Sequence, residues 1–129
     1  MAKTDAMWRK IFNEAREAGI TAGKAAVPTP MVLVEDTGAL FWVSRPGKTY
    51  VVDEGPFGWA WVKVHPGTSS FARWLVKAGR GEKSYNGGGI EIWISDHDSS
   101  VVRKEAHAEA LAAVLREHEI RAYAGSRLD

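Results

Sequence analysis

The sequence contains no cysteine, which excludes disulfide frameworks, thiolate zinc sites and cysteine nucleophiles. It also lacks any apolar run that approaches the roughly 18 residues of a membrane-spanning helix. Neither sign of charge dominates, because 17 lysines and arginines accompany 16 aspartates and glutamates in 129 residues. A site for a polyanion therefore has to be a local patch. We expect one soluble, intracellular domain over residues 1–129, with no membrane partner.

Catalytic signatures are missing as well. The sequence has no Ser-His-Asp order, GxSxG elbow, HExxH pair or Walker pattern. Segment 86–89 resembles a phosphate-binding loop only in composition, because its glycines lead into a predicted strand and do not open a helix. We interpret it as a flexible connector within a polar loop at 80–89. The sequence predicts no enzyme activity, no cofactor and no metal site.

Hydrophobic periodicity and turn residues predict the element order αββββαβαβ. The helices are predicted at 5–18, 69–79 and 100–118, and the strands at 31–35, 40–44, 49–53, 59–65, 89–95 and 120–125. Gly19 is expected to end the first helix, and the first three strands are expected to form an antiparallel meander. This pattern favours an α+β two-layer sandwich, with two or three helices and a mostly antiparallel sheet of about five to six strands.

Three of the predicted strands alternate strictly and so have two unlike faces. Small apolar residues occupy one face: Ala60, Val62, Val64, Ile90, Ile92, Ile94, Ile120, Ala122 and Ala124. The opposite face, here called the aromatic face, collects Trp59, Trp61, Lys63, His65, Glu91, Trp93, Arg121, Tyr123 and Arg127. This is more aromatic surface than a monomer normally leaves in water, so we expect something to cover it.

Three covers are compatible with the sequence. The favoured one is the N-terminal helix, whose own apolar stripe consists of Met7, Trp8, Ile11, Phe12 and Ala15. A symmetric second copy of the chain is another. The third is single-stranded nucleic acid, whose bases stack on rings while lysine and arginine meet phosphates. The glycine-aromatic consensus strands of sheet-based RNA-binding modules are absent.

A basic helix is a second candidate binding surface. Arg73 and Lys77 lie four residues apart on the predicted second helix, and Arg80 and Lys83 follow in the loop behind it. Such a cluster can grip phosphates, although a run of this kind is more often a solvated helix face.

One cluster resembles metal or acid-base chemistry: Asp96, His97, Asp98 and His107. The more ordinary interpretation is that Asp98 and Ser99 cap the third helix. On that interpretation His107 is solvated among Arg103, Lys104 and Glu109. The catalytic alternative fails if the two histidines are more than a few bridging waters apart.

Four strings of the sequence resemble small proteins of unknown function encoded by bacteriophages of actinobacteria. They are PTPMV at 28–32, HPGTSSFAR at 65–73, GGIEIWISD at 88–96 and AYAGSRLD at 122–129. The resemblance covers most of the chain and implies a viral protein that acts in the host cytoplasm or in the virion. It carries over no activity, cofactor or catalytic residue.

Together these observations predict a non-catalytic binding protein whose partner is a host protein or a second copy of itself. The predicted partner-binding residues are Trp59, Trp61, Lys63, His65, Trp93, Arg121 and Tyr123 on the aromatic face, with Arg73 and Lys77 on the basic helix. One alternative is single-stranded nucleic-acid binding through the sheet face. The other is a small virion component, such as a tail or connector protein.

Overall fold

The structure is a computed structural model, and it describes residues 4–28, 31–34, 49–52, 55–84, 87–97 and 100–128. These residues form a mixed α+β fold. The helices are α1 (Asp5–Ala25), α2 (Ser70–Lys77) and α3 (Val101–Glu117). The strands are β1 (Met31–Val34), β2 (Thr49–Val52), β3 (Gly58–His65), β4 (Glu82–Lys83), β5 (Ile90–Trp93) and β6 (Arg121–Leu128). No helix within these ranges is both long enough and apolar enough to cross a bilayer.

The main sheet has four antiparallel strands in the order β4-β5-β3-β6. The mostly antiparallel pairing is therefore confirmed, but a sheet of five to six strands is not, because β1 and β2 form a separate two-stranded sheet. The polar loop predicted at 80–89 contains the short edge strand β4, which pairs with β5. The two-layer sandwich stays a prediction.

The predicted meander is wrong in its pairing. Met31 lies opposite Val52 in antiparallel register, so the first predicted strand pairs directly with the third. In a meander these two strands would run parallel with another strand between them. Turn residues show where a chain can reverse, but they do not choose the partner strand. The predicted strand at 40–44 lies outside the described residues.

The hydrophobic core lies between the helices and the small apolar face of the main sheet. Every residue predicted for that face is buried except Ala124, which is half-buried and packs against the core. The predicted inner stripe of α3 is buried as well: Val101, Ala108, Leu111, Ala112 and Leu115. Strand alternation thus predicted the buried face of the sheet correctly, and helix periodicity predicted the apolar stripe of α3. On α1, Ile11, Phe12 and Ala15 are buried as predicted, but Met7 is exposed.

Helix α1 begins where predicted, since the Thr4 side chain accepts a hydrogen bond from the Met7 amide at 3.3 Å. It does not end at Gly19 but continues to Ala25. Gly19 and Gly23 are both buried inside it. A glycine costs a helix about 1 kcal/mol relative to alanine. The close packing of α1 on α3, described below, offsets that cost, and this is why the prediction of a stop failed.

The favoured expectation that α1 covers the aromatic face is also wrong. Helix α1 packs against α3 and contacts α2. The Trp8 and Phe71 ring centroids are 5.3 Å apart, and those of Phe12 and Trp74 are 5.9 Å apart. The apolar stripe of α1 therefore completes the core among the helices and leaves the aromatic face without this cover.

Candidate functional site

The aromatic face is assembled by the register of β6, β3 and β5. Directly opposed residues of antiparallel strands point to the same side of the sheet. The register forms four rows across the strands: Arg121 with His65, Tyr123 with Lys63 and Glu91, Gly125 with Trp61 and Trp93, and Arg127 with Trp59. The structure thus brings together all the residues that the sequence predicted for this face.

The rings of this face remain accessible. Trp59 is 37%, Trp93 40% and Tyr123 52% exposed, and Trp61 is half-buried. The centroids of Trp61 and Trp93 are 5.2 Å apart with an interplanar angle of 47°. These large side chains share one side of one sheet, and the rings of Trp61 and Trp93 at its centre are in contact.

Gly125 gives Trp61 its place on the sheet. A Cβ atom added at Gly125 would lie 2.7 Å from the Cε2 and Nε1 atoms of Trp61. The indole therefore lies over the backbone of β6, in the space that a side chain at 125 would occupy. Any larger residue at this position would push the ring away.

Charges are distributed unevenly over the face. The basic groups Lys63, Arg121 and Arg127 lie on β3 and β6, whereas Glu91 lies on β5 and its partner Glu82 on β4. The Arg127 guanidinium lies over the Trp59 ring, 5.1 Å from its centroid. One half of the face therefore combines rings with cations, and the other half carries the carboxylates.

An open cavity of about 410 Å³ lies at the Arg121 end of the basic half. His65 and Arg121 line it from the sheet, and Trp8, Ser69 and Ser70 line it from the helices. The aromatic face therefore continues into a recess at this end.

The basic helix is a separate surface. Arg73 and Lys77 are exposed on α2, whose inner residues pack on the core side of the sheet. The Lys77 ammonium pairs with the Asp5 carboxylate at 2.8 Å and so ties α2 to the start of α1. The Arg80 guanidinium lies over the Phe12 ring. The structure does not bring Arg73 and Lys77 together with the aromatic face. Arg80, in contrast, lines a cavity at the β4–β5 edge of that face, together with Glu82, Glu91 and Trp93.

The two histidines of the predicted acid-base cluster do meet. His97 Nε2 lies 2.9 Å from His107 Nδ1, so one ring donates and the other accepts. His97 has a φ of 68°, in the left-handed region that non-glycine residues rarely adopt. Asp98 and Ser99 lie outside the described residues, and the cap of α3 is Ser100, which accepts from the Arg103 amide.

His107 is buried, with 1% of its surface exposed, so the expectation of a solvated histidine is wrong. Its neighbour Lys104 is buried too and donates to the Gly58 carbonyl oxygen at 3.3 Å. Both occupy the inner stripe of α3, at three- and four-residue spacing from Val101, Ala108 and Leu111. That spacing is the signal in the sequence that identifies them as inward-facing.

Close packing encloses the histidine pair. A Cβ atom at Gly19 would lie 2.4 Å from the His107 ring, and one at Gly23 would lie 2.1 Å from the His97 ring. Glycines four residues apart therefore let α1 approach both imidazoles. Ile11 and Ala15 precede them at the same spacing, and this ladder of buried residues is the sequence signal for the α1–α3 contact.

Burial, followed by the neighbouring His97, lowers the pKa of His107 to about 4, while Asp96 acts in the opposite direction. Burial is also the main cause that lowers the pKa of His97. Both rings are therefore neutral at pH 7, and the pair shares a hydrogen bond without a net charge.

The two histidines are close enough for the catalytic interpretation. The surroundings of the pair do not otherwise support it. A cavity of about 220 Å³ beside His107 is lined by Arg16, Arg80 and Asp96 among others. The His97 hydrogen bond occupies His107 Nδ1, and the Nε2 side of the ring lies against Gly19. Among the described residues, no three histidine, aspartate or glutamate side chains are grouped to hold a metal ion.

Comparison of the chain with protein-family models, with curated proteins and with solved structures found no match.

Proposed function

We propose that this protein is a non-catalytic binding protein that contacts a macromolecular partner through its aromatic face. The observation that carries the proposal is the exposure of Trp59, Trp93 and Tyr123 on one side of one sheet. Contiguous exposed apolar surface of this kind marks contact sites. Helix α1, whose apolar stripe could have covered this face, packs against α3 and α2 in the core.

The composition of the face supports the same function. Tryptophan, tyrosine and arginine are the residues that contribute most to protein interfaces when they are desolvated. Arg127 already lies over Trp59, and the Arg116 guanidinium lies 6.0 Å from the Tyr123 ring centroid. Side chains that are held in place before binding lose less conformational entropy when a partner arrives.

The resemblance to actinobacteriophage proteins implies three kinds of partner in the host cytoplasm: a host protein, a second copy of this chain or nucleic acid. No cofactor and no catalysis are part of the proposed function, and the histidine pair belongs to the packing between α1 and α3.

A small virion component is the second candidate, and strand β6 favours it. This strand of eight residues is an edge of the main sheet. Edge strands present backbone groups that can pair with another chain. Arg116 donates to the Ala122 carbonyl at 2.7 Å, which occupies one of these groups. Pairing of β6 with another copy of the chain would supply the self-association that a tail or connector component needs.

Site-specific photo-cross-linking in the host cell tests the proposal. A photoreactive phenylalanine analogue replaces Trp59 or Tyr123, and in the control it replaces Val76, which is 50% exposed on α2. We expect adducts from positions 59 and 123 and none from 76. The adduct mass identifies a second copy, a host protein or nucleic acid. Equal adducts from all three positions, or none from the face, would overturn the proposal.

A further inference from the structure

We propose that the partner of the aromatic face is single-stranded nucleic acid, which lies along β3 and β6. This inference rests on the proposed function and names its partner class. Because the chain carries a formal net charge of only +1, it requires a local basic patch with rings suited to unpaired bases.

The rows of β3 and β6 alternate rings and cations. Tyr123 lies opposite Lys63, Gly125 opposite Trp61, and Arg127 opposite Trp59. Each ring therefore has a cation in its own row or in the next one. Single-stranded nucleic acid offers the same alternation, because each base stacks on a ring while its phosphate meets a cation.

The Trp61 ring is suited to stacking because it lies over Gly125. A ring spread over the backbone offers its other side to a base, and a side chain at 125 would prevent this arrangement. Tyr123 and Trp59 flank it along the two strands and are both exposed. Bases in a duplex are already stacked and paired, so the surface suits single strands.

The distribution of charge indicates which half of the aromatic face suits a nucleic acid. Lys63, Arg121 and Arg127 lie with the rings on β3 and β6, and the carboxylates of Glu91 and Glu82 lie toward the other edge. The β3–β6 half is therefore the more attractive one for a polyanion, although Lys63 also lies opposite Glu91, and Arg80 lines a cavity with Glu82 and Glu91 at the other edge. A surface for an apolar protein segment would not need this separation of charge.

The size of the half-face sets the length of the site. Arg127 lies six positions after Arg121 on β6, which corresponds to about 20 Å of strand. This distance suits about four nucleotides, at the lower end of known single-strand site sizes. The cavity beside His65 and Arg121 lies at that end, but Glu119 also lines it, so the site is limited to the length of the two strands.

Fluorescence anisotropy of a labelled, short oligothymidylate tests the proposal. We expect the wild-type protein to bind it at low salt. With three phosphates contacted, the logarithm of the affinity should fall with the logarithm of salt concentration with a slope of about −2. Trp59→Ala and Tyr123→Ala should each weaken binding about tenfold or more, and Trp59→Phe should retain most of it.

The charge variants provide the matched control. Arg127→Gln should weaken binding and reduce the magnitude of the salt slope by about 0.7. Arg9→Gln and Lys10→Gln remove the same charge from exposed positions of α1, outside the aromatic face, and should leave the affinity unchanged. All these positions are exposed, and a thermal melt confirms that each variant is folded.

Two results would overturn the proposal: no binding by the wild-type protein at low salt, or equal losses in the α1 variants and the face variants. Photo-cross-links from positions 59 and 123 to protein, together with a flat oligonucleotide titration, would reject nucleic acid and leave the proposed function standing. A flat titration without any cross-link from the face would reject both.

Discussion

The indole ring of Trp61 lies over the backbone of Gly125 on the neighbouring strand. The ring keeps this place only because residue 125 has no side chain. This pair of residues shapes the centre of the aromatic face, since Tyr123 and Trp59 lie on either side of it along β6 and β3.

Gly125→Val is therefore expected to displace the Trp61 ring and to weaken binding at the face, although it removes no ring and no charge. Overpacking of this kind costs about 1–3 kcal/mol of stability. Near-ultraviolet circular dichroism should report the changed tryptophan environment, and anisotropy the loss of affinity. Ser126→Ala changes the other side of the same strand, where the hydroxyl donates to Glu105, and serves as the control. An unchanged spectrum for Gly125→Val would show that the ring does not depend on Gly125.

The rings of the aromatic face should contribute little to folding. Trp59→Ala and Tyr123→Ala are expected to lower the free energy of unfolding by less than about 1 kcal/mol each, since both side chains are substantially exposed. Trp74→Ala, which removes a buried ring stacked near Phe71, should cost about 3–5 kcal/mol. Urea unfolding measures all three. Equal costs would mean that the face is part of the core.

The contact between α1 and the histidine pair predicts that the effect of Gly19→Ala on stability depends on whether residue 107 is a histidine. Gly19→Ala should destabilise the protein by about 1–2 kcal/mol, because the added methyl group meets the His107 ring and the strain exceeds the gain in helix propensity. In a His107→Ala background the same substitution should stabilise by up to about 1 kcal/mol, since the ring is gone. Urea unfolding of the wild-type protein, the two single variants and the double variant completes this double-mutant cycle. A stabilising effect in the wild-type background would contradict this packing.

Stability should fall as the pH is lowered from about 6.5 toward 4. The pKa of His107 is 6.5 in an unfolded chain and about 4 in the folded protein, chiefly because of burial. Between these values the unfolded chain binds the proton and the folded protein does not, so acid favours unfolding. The difference corresponds to about 3 kcal/mol.

Comparison of two variants of α3 isolates this effect from the titration of carboxylates. His107→Phe should flatten the pH dependence of the unfolding free energy over that range. Leu111→Ala, which removes buried atoms from the same helix but no titratable group, should lower the stability and leave the slope unchanged. A slope that stays steep in His107→Phe would mean that the buried histidine is not its source.

The sequence predicted the aromatic face correctly because alternation along a strand is a local property. Once Trp59, Trp61 and Lys63 alternate with small apolar residues, any sheet places them on one side. The register that puts Gly125 beneath Trp61 is a long-range property, and no local pattern indicates it. Strand pairing is likewise a long-range property, and this is why the predicted meander of the first three strands has the wrong pairing.

The errors in the helices have one cause. Residue type alone predicts a helix stop at Gly19 and a solvated ring at His107, and both predictions are wrong. Within the ladder of Ile11, Ala15, Gly19 and Gly23, a glycine marks close approach to another helix. That contact holds α1 against α3 and therefore away from the aromatic face. No local pattern in the sequence indicates which helix the ladder contacts.

The accessibility of each tryptophan indole in solution tests the central claim most directly. Paramagnetic broadening by a soluble, uncharged agent can be read from the indole N–H signals in a nitrogen-edited spectrum, with Trp→Phe variants for assignment. We predict strong broadening for Trp59 and Trp93 and little for Trp74, with protection of the first two when partner or oligonucleotide is added. Protection of Trp59 and Trp93 in the isolated monomer would mean that the chain covers its own aromatic face, and it would contradict the proposed binding surface.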